Sequence, residues 1–209
     1  MRSVIVLLAL PSLLACTGNR VRGVVNGQKV PVRSAYFFVQ DGVFGDDSLT
    51  GVVLSSLQDG CVDYGYFLTV TRDLTSPEQL ASAWSAVFPA DMWEVGILLR
   101  TAPASEVMTG QVYDGIAWNA GLEERGTVAG QARHITRFRD ENWWDGSAPL
   151  EDYGASFDFH SGTLMVESHQ PGQRLAGNYT TSTMYNGDPT GVLNIDFNAV
   201  FCPEADLLP

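Results

Sequence analysis

The chain has little charge, and almost none of its positive charge comes from lysine. Charged residues make up 17% of 209 residues, and 12 basic residues face 24 acidic ones, for a formal net charge of −12. Phosphate contacts need a positive surface, so nucleic acid is not an expected partner. With 45% hydrophobic residues, the chain is too apolar to be disordered and can build one domain around a core.

Long hydrophobic runs are also lacking. Val4–Leu10 contains only seven consecutive apolar residues, whereas a membrane-spanning helix needs about 20. The run follows Arg2 and precedes Pro11, a pattern typical of a secretory leader. We therefore predict that residues 1–15 are a signal peptide that is removed from the mature protein.

The leader ends in Leu13-Leu14-Ala15-Cys16, which resembles the lipobox of bacterial lipoproteins. In that family the cysteine thiol receives a diacylglycerol, the leader is cleaved before it, and the new N-terminus is usually acylated. The resemblance implies that Cys16 anchors the protein to the membrane and that residues 16–27 form a tether. Thr17, rather than an aspartate, follows the cysteine, which by the same resemblance implies the outer membrane of the envelope. An ordinary leader with a chance cysteine is the alternative.

Two further cysteines, Cys61 and Cys202, remain in the mature chain. Exported domains meet an oxidising compartment, so we predict that the two cysteines form a disulfide rather than two buried thiols. The bond would close a loop of about 140 residues, for which chain entropy gives an upper stabilisation of roughly 5 kcal/mol. There is no C-x-x-C motif, and neither cysteine has a histidine near it in sequence, which argues against a metal site.

One helix is well signalled, over residues 77–88. Ser76 is a candidate N-cap, Pro77 suits the first turn, and Gln79 completes the spacing of a capping box. The apolar residues that follow recur with helical spacing and form one stripe, which indicates core packing. They are Leu80, Ala83, Trp84, Val87 and Phe88.

The rest of the chain is typical of short strands joined by turns. Asn26-Gly27 predicts a hairpin turn, and Ser161-Gly162 predicts another between two strands of a four-strand C-terminal meander. The predicted strands are residues 34–40, 49–57, 64–72, 92–101, 110–118, 127–139, 155–160, 163–169, 174–185 and 192–202. About ten short strands with one amphipathic helix predict a mainly β fold, an antiparallel sandwich or barrel, as a single domain over residues 28–209.

Catalytic motifs are absent from the sequence. There is no G-x-S-x-G, H-E-x-x-H, P-loop or G-x-G-x-x-G, so we assign no catalytic residue and expect no cofactor. The strand segments Asp158-Phe159-His160 and Glu167-Ser168-His169 each place a carboxylate and a histidine on one face. A turn at Ser161-Gly162 would hold Glu167 roughly 13 Å from His160, too far for a shared metal ion, so we expect none.

Basic residues on the predicted strand 127–139 have two interpretations. Arg133, Arg137 and Arg139 share one face, where they pair with local carboxylates or, alternatively, bind an anion. His134 lies on the opposite face and is expected to be an interior histidine rather than a catalytic base.

Adjacent indoles in an acidic loop offer one candidate binding site. Trp143 and Trp144 stand beside Asp140, Glu141 and Asp145, and aromatic faces with nearby carboxylates are typical of carbohydrate binding. The alternative is one tryptophan in the core and one at the surface. A glycosidase would need two carboxylates about 5–10 Å apart, and the sequence selects no such pair among 24 acidic residues.

Taken together, these patterns favour a non-catalytic structural or interaction protein of the envelope, whose partner is an envelope protein. A module for a sugar or small ligand is the alternative, followed by a hydrolase with an unidentified carboxylate pair. The ending GVLNIDFNAVFC and its run of turns resemble uncharacterised lipoproteins of myxobacteria, which implies no particular activity.

Overall fold

The computed structural model describes residues 18–74, 76–102, 109–118, 122–135 and 154–203. This part of the chain forms nine strands and two helices, which confirms the predicted mainly β fold. The elements in chain order are β1 (Arg20–Arg22), β2 (Ser34–Phe44), β3 (Asp47–Ser55), α1 (Gly60–Thr71), α2 (Pro77–Val87), β4 (Met92–Thr101), β5 (Val112–Gly115), β6 (Thr127–Ile135), β7 (Gly154–Gln170), β8 (Arg174–Tyr185) and β9 (Asp188–Phe201).

The strand pairings form a closed ring. β2, β3, β4, β6, β7, β8 and β9 pair successively in antiparallel fashion. The ring closes where β9 pairs in parallel with β2, with Tyr36 opposite Val200 and Phe37 opposite Phe201. Between the two architectures the sequence left open, the pairings therefore select a barrel. β1 joins an edge of β9, and β5 lies between β6 and β7.

Large apolar side chains fill the inside of the ring. The side chains of Phe37, Phe159, Tyr179 and Phe197 are almost completely excluded from solvent and belong to one continuous cluster. The alternate residues of β2, Tyr36 and Phe38, are also buried, but in a second cluster on the outer face. Both faces of β2 are therefore covered, because α1 packs over its outer side.

The prediction of a strand over residues 64–72 is wrong, because these residues belong to α1. Apolar residues alternate with Thr69 and Thr71 in this segment, as they do in a strand. The two threonine hydroxyls nevertheless donate to backbone carbonyls four residues earlier, within the helix. Tertiary contacts overrode the local β preference. The helix begins at Gly60, where any Cβ would lie within about 3 Å of the Ser34 hydroxyl, so a glycine lets it approach the sheet.

The predicted turn at Ser161-Gly162 is also wrong. β7 continues through both residues, so the C-terminal meander has three strands rather than four. A Cβ at Gly162 would lie 2.3 Å from the carbonyl oxygen of Thr180. The glycine thus serves a close approach between β7 and β8 rather than a change of direction. The strand is irregular beside it, with a register shift between Phe159 and Ser161.

Two other local predictions have mixed outcomes. The helix predicted over 77–88 is confirmed as α2, although the Ser76 hydroxyl contacts the Glu78 carboxylate and makes no capping hydrogen bond to the backbone. The hairpin turn at Asn26-Gly27 is confirmed: both residues have positive φ angles, 48° and 74°, and Val25 and Gln28 exchange backbone hydrogen bonds across it.

The predicted disulfide is confirmed. Cys61, in the first turn of α1, is bonded to Cys202, immediately after β9, and their Cα atoms lie 5.8 Å apart. The bond therefore fastens the helix to the place where β9 meets β2. Neither of the helices found in the described ranges has the length and apolar character needed to cross a bilayer.

Candidate functional site

An apolar cleft lies on the outer surface of the barrel. It has a volume of about 270 Å³ and is open to solvent, so it is slightly smaller than most small-ligand sites, which hold about 300–1,000 Å³. Leu98 and Ala129 are direct cross-strand partners on β4 and β6 and form part of its floor. The other described lining residues are Phe44, Leu49, Trp118 and Leu122.

Two glycines, Gly51 and Gly96, leave the surface of the sheet beside this cleft without side chains. A Cβ at Gly51 would lie 2.2 Å from the ring of Phe38, so only glycine allows that ring to lie across β3. On the neighbouring strand, a Cβ at Gly96 would meet no atom within 4 Å. The outer face of β4 thus presents free space next to Leu98.

An ion-paired cluster holds one end of the cleft. The Nε of Arg100 donates to Asp47 at 3.0 Å, and Arg125 donates to the other carboxylate oxygen. Both bonds lower the pKa of the Asp47 carboxyl below its usual value, and the bond from Arg125 has the larger effect. Arg100 also donates to the carbonyl of Leu122 and lies 4.7 Å from the ring centroid of Phe44. One guanidinium thus connects two walls of the cleft.

A second cluster lies further along β4, under α1. Glu94 is 1% exposed, and its carboxylate accepts hydrogen bonds from the Tyr64 hydroxyl and, at 3.1 Å, from Arg133. Burial, followed by the nearby charge of Glu94, raises the pKa values of Tyr36 and Tyr64 well above those of an exposed phenol. Both phenols therefore keep their protons, and Glu94 serves as a fixed anchor for the helix.

The two buried carboxylates do not face one another. Asp47 and Glu94 are the only acidic residues buried within the part of the chain that is described. Glu94 lies opposite Ser55, eight residues along β3 from Asp47, a separation of about 26 Å. A hydrolytic pair needs about 5–10 Å, so these two carboxylates cannot form one.

The histidines contact neighbouring side chains. His134 stacks on Trp93 with ring centroids 4.5 Å apart, and its Nε2 lies 2.6 Å from a carboxylate oxygen of Asp91. His169 meets the edge of Phe37, and His160 is exposed. Because β7 is continuous, His160 and Glu167 are seven residues apart on one strand. Among the described residues, no three potential ligands lie close enough together to hold a metal ion.

Most of the residues proposed from sequence as a binding site lie outside the described ranges. These are Trp143, Trp144, Asp140, Glu141 and Asp145, and also Arg137, Arg139 and the lipidation site Cys16. The sugar-binding and lipidation hypotheses stay predictions. Arg133 is described, and it pairs with a carboxylate, one of the two interpretations that the sequence allowed.

The sequence did not reveal the cleft. Part of its floor comes from the outward-facing side of β4, where Gly96 and Leu98 lie. They alternate along the strand with the buried residues Val95, Ile97 and Leu99. An outward leucine next to a glycine was the available signal, and it is weak. Comparisons of the chain with models of known protein families, with curated proteins and with solved structures gave no match.

Proposed function

We propose that the mature protein is a lipid-anchored, non-catalytic binding protein of the bacterial envelope, and that its cleft accepts an apolar ligand. The observation that carries the proposal is the contrast between the two faces of one sheet. The inner face is filled by its own side chains, whereas the outer face leaves a cleft of about 270 Å³ above Leu98 and Ala129. An open apolar cleft on an otherwise packed domain is a characteristic of binding sites.

The lining defines the class of ligand. Aromatic side chains from Phe44 and Trp118 and aliphatic ones from Leu49, Leu98 and Leu122 offer carbon surface. Each methylene group that a ligand buries fully there would gain about 0.8 kcal/mol before the costs of association. We therefore expect a neutral aliphatic or aromatic group of moderate size rather than a sugar.

Two features support placement in the envelope. The Cys61–Cys202 disulfide fits an oxidising compartment outside the cytoplasm. The leader and its Leu13-Leu14-Ala15-Cys16 ending are those of a protein exported and then acylated, and acylation with two or more chains gives stable anchoring.

The test is a titration with N-phenyl-1-naphthylamine, a neutral apolar dye whose fluorescence increases on binding. We expect saturable binding by the protein and a loss of about tenfold or more in affinity for Ala129→Leu, because the larger side chain fills space above the cleft floor. The matched control is Val192→Leu, which enlarges an exposed apolar residue outside the cleft and should leave the affinity unchanged.

Thermal unfolding of each variant shows whether it is folded. A folded Ala129→Leu variant that binds the dye like the wild type would disprove the cleft as the binding site. If that variant does not fold, Trp118→Ala tests the same idea by removing a wall, and unchanged dye affinity in it would also contradict the proposal.

A further inference from the structure

Basic residues are distributed very unevenly along the chain. Residues 17–40 contain four of the 12 basic residues and none of the 24 acidic ones, although the whole protein has a net charge of −12. This segment begins directly after Cys16. Positive charge is thus concentrated beside the proposed lipid anchor.

The fold presents this charge to solvent. We call residues 18–33 the basic flap; it contains β1, the Asn26-Gly27 hairpin and the connection to β2. Val21, Val25 and Val30 pack on the barrel core, and the four basic side chains are exposed. They are Arg20, Arg22, Lys29 and Arg33.

The four charges differ in their surroundings, and Arg20 lies directly opposite Asp196 in the pairing of β1 with β9. Arg22 forms an ion pair with Asp196. Arg20, Lys29 and Arg33 have no ion pair with any residue in the described ranges. Asp196 is already bonded to Arg22, so one carboxylate lies among four exposed basic side chains, and the flap keeps an excess of positive charge.

The connection to Cys16 is short. The side-chain oxygen of Asn19 accepts a hydrogen bond from the backbone N–H of Asn198 at 2.7 Å, and β1 begins at Arg20. Three residues separate Cys16 from Arg20, so the two Cα atoms, four steps apart along the chain, can be at most about 14 Å apart. This reach is comparable to the Debye length of about 8–10 Å at physiological salt, over which surface charges attract.

We propose that Arg20, Lys29 and Arg33 of the basic flap contact the phosphate headgroups of anionic phospholipids in the membrane that holds Cys16. The inference rests on the lipid anchoring proposed above. Each basic residue near an anionic leaflet strengthens attachment by about fivefold. The flap thus gives the barrel one preferred face toward the bilayer instead of a free rotation about its anchor.

This orientation has a consequence for the cleft. β2 begins beside the flap at Ser34 and ends at Phe44 in the cleft lining, ten residues further on. The two ends are about 30 Å apart along the strand. The membrane contact and the cleft are therefore well separated, and the cleft stays accessible while the flap is bound.

Lys29, the only lysine of the chain, allows a site-specific test. Full-length protein isolated from membranes is incorporated into vesicles of phosphatidylcholine alone or of phosphatidylcholine with phosphatidylglycerol, and Lys29 acetylation by an N-hydroxysuccinimide ester is followed by mass spectrometry. We expect labelling to be at least about threefold slower on the anionic vesicles, with the difference lost in about 0.5 M salt.

A matched control places a second lysine at the far end of β2. Val43→Lys adds an amine at an exposed position about 30 Å from the flap, and we expect equal labelling of residue 43 on both vesicles. Arg20→Gln combined with Arg33→Gln should remove the protection of Lys29 without changing attachment to phosphatidylcholine. Equal labelling of Lys29 on both vesicles, or protection that survives this double change, would overturn the proposal.

Flotation of the vesicles separates this proposal from the anchor. Protein that floats with phosphatidylcholine but shows no lipid-dependent protection retains its anchor and refutes the flap contact. Protein that floats only with the anionic vesicles, and shows protection there, supports the flap contact and refutes acylation of Cys16. Protein that floats with neither refutes both.

Discussion

Glu94 and Asp47 show how individual buried charges are retained in this small barrel. Each carboxylate accepts hydrogen bonds from an arginine, and Glu94 also accepts one from the Tyr64 hydroxyl. Such bonds offset the large cost of removing an ionised group from water. Their use here is positional: Asp47 holds the wall of the cleft through Arg100, and Glu94 holds α1 against the sheet.

The buried phenols beside Glu94 make stability sensitive to alkaline pH. Because the folded-state pKa values of Tyr36 and Tyr64 lie above the unfolded value of about 10, the stabilisation is fully present below pH 10 and is lost as pH rises above it. We expect the free energy of unfolding to fall by up to about 1.4 kcal/mol per pH unit for each phenol in this window.

Urea unfolding at a series of pH values above 9 measures this slope. The double variant Tyr36→Phe/Tyr64→Phe should show a clearly smaller slope, whereas Tyr66→Phe, which removes a solvent-exposed phenol on α1, should behave like the wild type. A double variant with the wild-type slope would show that other groups control the alkaline transition.

At the scale of elements, α1 is the least conventional part of the fold. Phe67 packs against Trp84 and Phe88 at α2, but Val62, Tyr66 and Val70 are exposed at four-residue intervals. Apolar residues therefore surround the helix, and no stripe marks its buried side. The helix is held by this packing on α2, by the Cys61–Cys202 disulfide and by the bond from Tyr64 to Glu94.

The disulfide should accordingly carry much of the stability of this element. We expect Cys61→Ala/Cys202→Ala to lower the free energy of unfolding by about 2–4 kcal/mol, because the open chain regains the entropy of a loop of 141 residues. Hydrogen exchange should be accelerated more in α1 than in β8, which lies between two long strands.

Reducing agent provides the control for this prediction. Dithiothreitol should destabilise the wild type by a similar amount and leave the double variant unchanged. Equal stability of the oxidised wild type and the double variant would mean that the packing of α1, rather than the bond, holds it in place.

At the scale of the whole molecule, closure of the ring determines which surfaces are free. Residues 36–37 of β2 pair with residues 200–201 of β9, so two segments near opposite ends of the described chain complete the barrel. A closed sheet has no open strand edges that invite association with other chains. Both proposed binding surfaces, the cleft and the basic flap, lie on the outside of the ring.

Anchoring through Cys16 is the prediction that concerns the entire molecule. Mass spectrometry of protein extracted from membranes should find an N-terminal Cys16 carrying acyl chains, and Cys16→Ser should release the protein from the membrane fraction, since the acyl chains supply the attachment. Recovery of a soluble mature wild-type protein with an unmodified N-terminus would end the hypothesis.

Several features of the fold could be predicted from local sequence. The alternation in residues 92–101 and the 3.6-residue spacing after Pro77 reflect one-sided burial, and β4 and α2 follow them closely. Counting the cysteines of a chain predicted to be exported was enough to pair Cys61 with Cys202. Asn26-Gly27 adopts the positive φ angles that its turn requires. The strand, the helix and the turn each depend on a constraint that acts within a short segment. For the disulfide, each cysteine has only one possible partner once Cys16 is set aside.

Other features were decided only by tertiary structure. The segment that becomes α1 has strand-like alternation and no helical stripe, and contacts with Ser34, Glu94 and Cys202 select the helix. Gly162 resembles a turn residue but serves a close strand approach, which depends on Thr180 of the neighbouring strand. Closure of the ring and the exposure of Leu98 in a cleft depend on segments distant in sequence. A hydrophobic pattern in the sequence predicts that a residue is buried, but only the three-dimensional fold determines which residues it packs against.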